Sequence, residues 1–268
     1  MLPADLQRAL TSVAAAPRLL VASDFDGTMA PIVANPADAR PLAAAAEALG
    51  QLAELPDTAA ALISGRALEV LRSLSGFPEP PPRLHLVGSH GAEFTSGFTN
   101  DIDRELLDRI TAELRAIAAD HPGVTVETKP ASVALHVRNA SAADGEAALT
   151  KARAAAEAWD VQLTEGKAVL EFAVIQTDKG LALDVLREQE NASAVVFFGD
   201  DVTDEKAFRR LRGDADVTVK VGPGESLAQY RVDAPEDVAE ALQYLLEARR
   251  RGAGAASAQR DKRAGKFE

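Results

Sequence analysis

Residues 24 to 28 read Asp-Phe-Asp-Gly-Thr and directly follow the apolar run at 19–22. Two carboxylates, one residue apart, stand where a buried strand should break into a turn that Gly27 permits. There an ionised Asp24 could attack phosphorus and form an aspartyl-phosphate. Asp26 could protonate the leaving alcohol and then deprotonate water, and Thr28 offers phosphate a hydroxyl and an N–H. The alternative is an ordinary surface loop, because Asp and Gly favour turns.

Two shorter patterns follow later strands and could bind phosphate. Ser64-Gly65-Arg66 comes directly after an apolar run, and a hydroxyl with a backbone N–H at a helix start binds phosphate well. Asp178-Lys179-Gly180 opens a helical segment, where Lys179 near the nucleophile would neutralise carboxylate and phosphate charge. Taken alone, Ser64 is also an ordinary helix cap and Lys179 an ordinary solvated side chain.

The run Gly-Asp-Asp-Val-Thr-Asp-Glu at 199–205 follows an apolar strand pattern. Its four acidic residues, Asp200, Asp201, Asp204 and Glu205, would repel one another strongly. A bound cation is the simplest compensation, and Mg²⁺ fits because it prefers oxygen ligands and retains waters. The alternative is a capping cluster, since acidic residues also favour helix N-termini.

Short apolar runs, each followed by a turn and usually a helical pattern, position these motifs. They lie at 18–23, 59–64, 84–88, 194–198 and 216–221. This alternation predicts an α/β fold whose core is a doubly wound, parallel, Rossmann-like sheet. The alanine-rich segment 41–55 is predicted as a crossover helix.

The rhythm changes between about residue 95 and residue 175, where a helix followed by two strands occurs twice. The predicted helices are 103–119 and 142–159, and the predicted strands are 124–127, 132–138, 161–164 and 169–173. We therefore expect a core domain at 1–95 and 176–248 with an inserted α/β cap at 96–175. The expected hinges are Gly97 and Gln176-Thr177. Residues 249–268 are predicted as a disordered basic tail, with a basic arm for an acidic partner as the alternative.

Composition excludes several classes of function. The 268 residues carry 29 Lys+Arg against 41 Asp+Glu, a net charge of -12, which argues against nucleic acid or an anionic membrane as the main partner. The sequence has no cysteine, so disulfides, thiolate metal sites and a Cys nucleophile are excluded. Without a secretion signal or a membrane-length apolar run, a cytoplasmic protein is expected.

The four motifs, in this order and at strand ends, resemble those of the haloacid-dehalogenase-like phosphatase superfamily over almost the whole chain except the tail. The resemblance implies that Asp24 is the nucleophile and Asp26 the general acid and base. It further implies that Ser64 and Lys179 hold the phosphoryl group.

The same resemblance implies the metal site. Mg²⁺ would be ligated by Asp24, the Asp26 carbonyl and Asp200. Asp204 would support Lys179 or the metal's waters, with Asp201 in a lesser supporting role because adjacent residues point apart.

Finer details are similar to the trehalose-6-phosphate phosphatases. The nine residues 24–32 match that family's Asp-Tyr-Asp-Gly-Thr-Leu-x-Pro-Ile, with Phe25 and Met29 as departures. Residues 88–93 (Gly-Ser-His-Gly-Ala-Glu) also match, and the cap residues resemble that family's Glu-x-Lys…His-Tyr-Arg, with Val137 in place of the tyrosine as a third departure. The resemblance implies a set of substrate-binding residues: Thr28, Arg66, His90, Glu127, Lys129, His136, Arg138 and Glu171.

We therefore expect Mg²⁺-dependent hydrolysis of trehalose 6-phosphate, a small sugar phosphate, with a trehalose-phosphate synthase as a possible partner. Glu127 and Lys129 would share one strand face, as would His136 and Arg138 on the next. The alternatives are a phosphatase for sucrose 6-phosphate or mannosyl-3-phosphoglycerate, a catalytically silent regulatory domain, and phosphotransfer between metabolites.

Overall fold

A computed structural model describes residues 1–98, 101–166, 168–175 and 178–264, with side chains through residue 252. The chain forms two compact units, each described by itself. The core unit comprises Met1–Ser96 and Asp178–Glu268, and the insert comprises Gly97–Thr177. The predicted hinge at Gln176-Thr177 lies outside the described residues.

The helices and strands are given in chain order. The strands are β1 (Leu19–Ser23), β2 (Thr58–Ile63), β3 (Leu84–Val87), β4 (Glu93–Phe94), β5 (Gly97–Phe98), β6 (Thr125–Thr128), β7 (Ser132–His136), β8 (Gln162–Gly166), β9 (Val169–Ala173), β10 (Ala194–Gly199), β11 (Val217–Val221) and β12 (Tyr230–Val232). The helices are α1 (Ala4–Val13), α2 (Ala43–Glu54), α3 (Leu68–Leu74), α4 (Arg104–Ala119), α5 (Ala142–Ala156), α6 (Lys179–Glu190), α7 (Glu205–Arg210) and α8 (Pro235–Ala264).

The core unit contains a parallel sheet in the order β12-β11-β10-β1-β2-β3. This confirms the predicted doubly wound core. Alternate residues of each strand face opposite sides of the sheet. On β1, Leu19 and Val21 pack in the cluster that contains α1, α2 and α8, whereas Leu20 and Ala22 pack with α6 and α7. Because both faces are covered, the strands appear in the sequence as continuous apolar runs.

The order of the strands reverses beside β1. The chain runs outward from β1 through β2 to β3, and later from β10 outward on the other side of β1. Ser23 at the end of β1 pairs in register with Phe198 of β10. The carboxyl ends of these two strands therefore adjoin at a topological switch point, which is where such sheets bind ligands.

The insert contains an antiparallel sheet in the order β6-β7-β9-β8, with α4 and α5. Val133, Leu135 and Phe172 belong to the apolar cluster that these helices complete. Residues that alternate with them, such as Ala134 and His136 on β7, lie on the opposite face. One face of this sheet is thus free to carry polar side chains. The added sheet agrees with the predicted α/β insert.

The C-terminal helix differs from the prediction. The sequence places a solvated tail from residue 249 onward, but α8 continues to Ala264 and Arg249 is only 8% exposed. Its guanidinium donates to Ala14 O at 2.8 Å, Asp57 O at 2.8 Å and Thr58 Oγ1 at 3.0 Å, and also to Ala16 O. The run of three arginines looks solvated in the sequence, whereas these carbonyls converge only in the folded chain. Residues 265–268 lie outside the described residues.

Across the described ranges, we find no helix with both the length and the apolar character needed to cross a lipid bilayer.

We predict that Arg249→Met lowers the free energy of unfolding by roughly 2 to 4 kcal/mol, because buried carbonyls lose their donor. Chemical denaturation followed by circular dichroism measures the loss. Arg250→Met is the matched control, since Arg250 is exposed and its hydrogen bond within the described residues goes to the side chain of Gln51, at 2.7 Å. Equal losses in the two variants would contradict the structural role of Arg249.

Candidate active site

Asp24 is the first residue after β1, and its side chain is buried at the carboxyl edge of the core sheet. Its N–H donates to Phe198 O at 2.9 Å, which joins it to the end of β10. Lys179 opens α6 and is 2% exposed. Its Nζ lies 2.5 Å from Asp24 Oδ1 and 2.8 Å from Asp204 Oδ1. One buried ammonium thus joins the first, third and fourth motifs.

Three carboxylates converge beside this lysine. Asp24, Asp200 and Asp204 each contribute one oxygen, and these oxygens all lie within 4.8 Å of one another. Asp204 Oδ2 accepts the N–H groups of Asp200 and Asp201, both at 3.0 Å, so the loop after β10 folds around its own carboxylate. Asp201 is exposed, and its side chain accepts the N–H of Val202 at 2.7 Å. Asp201 therefore shapes the turn and lies outside the three-carboxylate cluster.

Glycines at two positions let these carboxylates approach. Gly27 has φ +83°, and a Cβ built there would lie 2.2 Å from Asp200 Oδ2. A Cβ on Gly199 would lie 2.4 Å from the Asp204 carboxyl carbon. Any larger residue would push the carboxylate away, so both positions require glycine. From the sequence, Gly27 is explained by its turn alone. The close approach of Asp200 is a second reason for glycine here, and it comes from a loop more than 170 residues away.

Thr28 is completely buried and bridges two of the three carboxylates. Its hydroxyl lies 3.3 Å from Asp24 Oδ2 and 3.4 Å from Asp200 Oδ1. The sequence predicts Thr28 as a phosphate ligand. In this structure its hydroxyl instead holds the nucleophile candidate and the loop after β10 in register.

The Asp26 side chain forms a two-point ion pair with Arg66. Arg66 Nε lies 2.7 Å from Asp26 Oδ2, and Arg66 Nη2 lies 2.6 Å from Asp26 Oδ1. The guanidinium also stacks 5.6 Å from the centre of the Phe25 ring. Such fork-to-fork pairs fix orientation as well as charge. Arg66, which the sequence predicts to bind substrate, is therefore paired in this structure with Asp26, the predicted general acid and base. The prediction that Asp26 also ligates metal concerns its main-chain carbonyl, which this ion pair leaves untouched.

Ser64 is buried at the carboxyl end of β2, and its Oγ accepts the N–H of Arg66 at 3.2 Å. The loop is held from one side by His90, which has a left-handed backbone with φ 55°. The His90 N–H donates to Ser64 O at 2.9 Å, and a Cβ on Gly65 would lie 2.4 Å from the imidazole ring. This packing makes His90 a support for the loop that carries Ser64.

Glu93 is a supporting residue that the sequence analysis did not single out. Its Oε2 accepts the N–H of Leu68 at 2.8 Å and the hydroxyl of Ser89 at 3.2 Å. It thereby ties the start of α3 to the turn that contains His90. The only signal in the sequence was an acidic residue closing the Gly-Ser-His-Gly-Ala-Glu run.

Burial and mutual charge interactions shift pKa values within the acidic cluster. Burial raises the pKa of Asp24 well above its ordinary value; Lys179 opposes this rise, and Asp204 and Asp200 add to it. Burial, then the charge of Asp204, raises the pKa of Asp200 to about 6. Burial alone would lower the pKa of Lys179, but Asp204 and Asp24 outweigh it and raise that pKa. Three ionised carboxylates facing one ammonium leave an excess negative charge that a divalent cation would balance. The all-oxygen donor set fits Mg²⁺.

Three of the predicted sugar-binding residues, Glu127, His136 and Glu171, lie on the face of the insert's sheet away from the helices. Glu127 on β6 and Glu171 on β9 flank Ala134 of β7 in one row across the sheet. Glu127 Oε2 lies 2.9 Å from His136 Nε2, and this hydrogen bond lowers the pKa of Glu127 against the opposing effect of burial.

The two basic residues of the predicted cap pattern lie beyond the strand ends. Lys129 follows β6, and its Nζ lies 2.8 Å from Glu171 Oε2; Ser132 Oγ lies 2.6 Å from Glu171 Oε1. Arg138 follows β7 in a turn and is exposed. The prediction that Arg138 shares a strand face with His136 is therefore wrong, because β7 ends at His136. Glu127, Lys129, His136 and Glu171 remain grouped as two pairs, Glu127 with His136 and Lys129 with Glu171.

Comparison with known proteins gives a consistent answer. The family model described as trehalose-phosphatase matches residues 22–240. The chain is 32% identical to the trehalose-6-phosphate phosphatase of Escherichia coli over 84% of this chain and 85% of that protein. It is 35% identical to the trehalose-phosphate phosphatase of Mycobacterium marinum, over 84% of this chain but only 60% of that protein.

Among solved structures, the C-terminal domain of the C. albicans trehalose-6-phosphate phosphatase aligns with a TM-score of 0.73 over 91% of this chain and 97% of that domain. At 24% identity this likeness establishes a shared fold. The sequence matches show more than a shared fold. They span most of the chain and cover the range that contains the four motifs. The chain belongs to the trehalose-phosphatase family of phosphatases.

Proposed function

We propose that this protein hydrolyses trehalose 6-phosphate to trehalose and phosphate, with Mg²⁺ as cofactor and an aspartyl-phosphate as intermediate. The observation that carries the proposal is Lys179, whose buried ammonium bridges Asp24 and Asp204 beside the converging carboxylates. The named activities of the relatives support the choice of substrate.

In the first step the carboxylate of Asp24 attacks phosphorus, and the bond from phosphorus to the sugar oxygen breaks. Asp26 gives the departing oxygen a proton. In the second step Asp26 takes a proton from water, whose oxygen attacks phosphorus and releases phosphate from Asp24. Lys179 and Ser64 hold the transferring phosphoryl oxygens throughout. When bound, Mg²⁺ would be held by Asp24, Asp200 and the Asp26 carbonyl and would supply electrostatic stabilisation of the phosphoryl charge.

The ion pair between Asp26 and Arg66 has a role in this scheme. A phosphate dianion offers the guanidinium the same two-point geometry as a carboxylate. Substrate binding would therefore draw Arg66 toward phosphate and free the Asp26 carboxylate, which without the guanidinium can take up from solvent the proton that it gives to the leaving oxygen. Before substrate arrives, the pair holds both side chains close to their working positions.

The alternatives differ in what the same residues would do. A phosphatase for another sugar phosphate would share the core chemistry, and a phosphate-release assay over a panel of sugar phosphates separates it. A silent regulatory domain has no need of Lys179 bridging two buried carboxylates. Phosphotransfer to a second metabolite would replace water as the acceptor. A trehalose-phosphate synthase partner and a cytoplasmic location stay predictions.

We predict that Asp24→Asn lowers phosphate release from trehalose 6-phosphate by about 10³-fold or more, because the nucleophile is lost. Circular dichroism should show an intact fold. The matched control is Asp214→Asn, which makes the same change at an exposed site. Activity within about tenfold of wild type would rule out the covalent route.

We predict that Glu127→Ala lowers kcat/KM for trehalose 6-phosphate by about 10- to 100-fold, the effect of losing a charge-assisted hydrogen bond to a sugar hydroxyl. Hydrolysis of p-nitrophenyl phosphate, which has no sugar, should change little. Glu165→Ala is the control, since Glu165 is exposed on the same insert and pairs with Arg153 at 2.9 Å. Equal losses on both substrates would remove Glu127 from sugar recognition.

The metal-free protein should lose stability as pH rises from about 5 to about 7. The folded pKa of Asp200 is raised to about 6, so the folded state retains a proton that the unfolded chain has already lost. The free energy contributed by that proton is present at low pH and disappears as pH passes the folded pKa. Mg²⁺ binds the ionised form and should raise Tm more at about pH 7 than at about pH 5.

Thermal denaturation with and without Mg²⁺ measures both effects. The control is Asp200→Asn, which removes the titrating group and should flatten the pH dependence and abolish most of the Mg²⁺ response. A wild-type protein whose Tm follows the same pH course as Asp200→Asn would contradict the assignment.

A further inference from the structure

Lys220 is a buried cation that neither the sequence motifs nor the proposed reaction assigns. It lies on β11, a strand buried along its whole length, and is 5% exposed. In the parallel register it stands beside Gly199, the last residue of β10. Its ammonium donates to the main-chain carbonyl of Asp200, and to Val221 O at 3.1 Å.

A buried ammonium is costly unless something compensates its charge. Within the part of the chain that the structure describes, no carboxylate lies within ion-pair distance of Lys220. Among the described residues, its ammonium donates to two main-chain carbonyls, one of which belongs to Asp200. An apolar residue would fill this strand position without that cost. The hydrogen bond to the Asp200 carbonyl is therefore the reason we look for to explain a lysine here.

With this carbonyl bonded, both main-chain polar groups of Asp200 are hydrogen-bonded to side chains. From one side, Asp204 Oδ2 accepts the Asp200 N–H at 3.0 Å. From the other side, Lys220 holds the Asp200 carbonyl. With both of its own main-chain groups fixed, Asp200 has little freedom to turn its carboxylate away from Thr28 and Asp24.

We propose that Lys220 is a positioning residue for the metal site: by holding the carbonyl of Asp200, it aims the Asp200 carboxylate at Mg²⁺. The proposal rests on the Mg²⁺-dependent function described above. Lys220 touches neither substrate nor metal and acts through Asp200. Residues that orient a metal ligand in this way commonly change metal affinity by 10- to 100-fold, as an order of magnitude.

The test is Lys220→Met, which keeps the length of the side chain and removes the charge and the donors. Binding of Mn²⁺ as a probe to the substrate-free, full-length protein is measured from the free Mn²⁺ signal in electron paramagnetic resonance. We expect the dissociation constant to rise by about tenfold or more. The Mg²⁺ concentration that gives half-maximal phosphate release should rise in parallel, while KM for the sugar phosphate at saturating Mg²⁺ stays within about twofold of wild type.

Arg249→Met is the control for a general loss of stability. Arg249 is also a buried cation that donates to main-chain carbonyls, but at residues 14, 16 and 57, which precede β1 and β2. This control should lower Tm and leave Mn²⁺ affinity unchanged. Lys220→Arg, which retains charge and donors, should recover part of the affinity lost in Lys220→Met. If Lys220→Met does not fold, Lys220→Gln takes its place with the same expectation.

A folded Lys220→Met or Lys220→Gln variant that binds Mn²⁺ as tightly as wild type overturns the proposal, as does an equal affinity loss in Arg249→Met. Failure of the function itself looks different. If wild-type protein releases no phosphate from any sugar phosphate with Mg²⁺ while Lys220→Met still weakens Mn²⁺ binding, the reaction is wrong and the positioning role stands.

Discussion

The catalytic edge of this protein depends on one buried ammonium between two carboxylates. Lys179 contacts Asp24 and Asp204 at hydrogen-bonding distance, and all three side chains are nearly inaccessible to solvent. Burial of so many charges is tolerated only where they are paired and hydrogen-bonded. Without the lysine, two adjacent buried carboxylates would repel each other and one would have to take up a proton. The geometry of Asp24, the proposed nucleophile, therefore depends on the start of α6 as much as on β1.

Further contacts position the residues that surround this lysine and its two carboxylates. Thr28 joins Asp24 to Asp200, and Asp204 holds the main chain of its own loop. Gly27 and Gly199 supply the space in which the carboxylates meet. Asp26 is held apart from this group by Arg66. Two carboxylates separated by one residue thus lie in different electrostatic surroundings, which suits one for attack on phosphorus and the other for proton transfer.

Much of this could be predicted from the sequence because the motifs follow apolar runs, and parallel strands end at the same edge. That reasoning placed Asp24, Ser64 and Asp200 at neighbouring strand ends. The sequence predicted Asp24 and Asp204 near Lys179, but it did not reveal that Asp26 pairs with Arg66, since that contact joins two loops far apart in the chain. Lys220 could have drawn notice as a lysine inside an apolar strand pattern. Nothing local to the sequence distinguishes Arg249 from the exposed arginine beside it, because the carbonyls it binds come from the other end of the chain.

The strand order also governs when this site can come into being during synthesis. β1 is made before its neighbour β10, which is encoded after the entire insert, so the two sides of this sheet edge are joined by a contact of very long sequence separation. Until β10 leaves the ribosome, the nascent sheet has β1 as an unpaired apolar edge, the kind of surface that recruits chaperones or aggregates. The insert, whose own strands pair locally, can fold in that interval. A chain interrupted before β10 therefore carries Asp24, the proposed nucleophile, without the carboxylates of the loop after β10 that surround it in the folded protein.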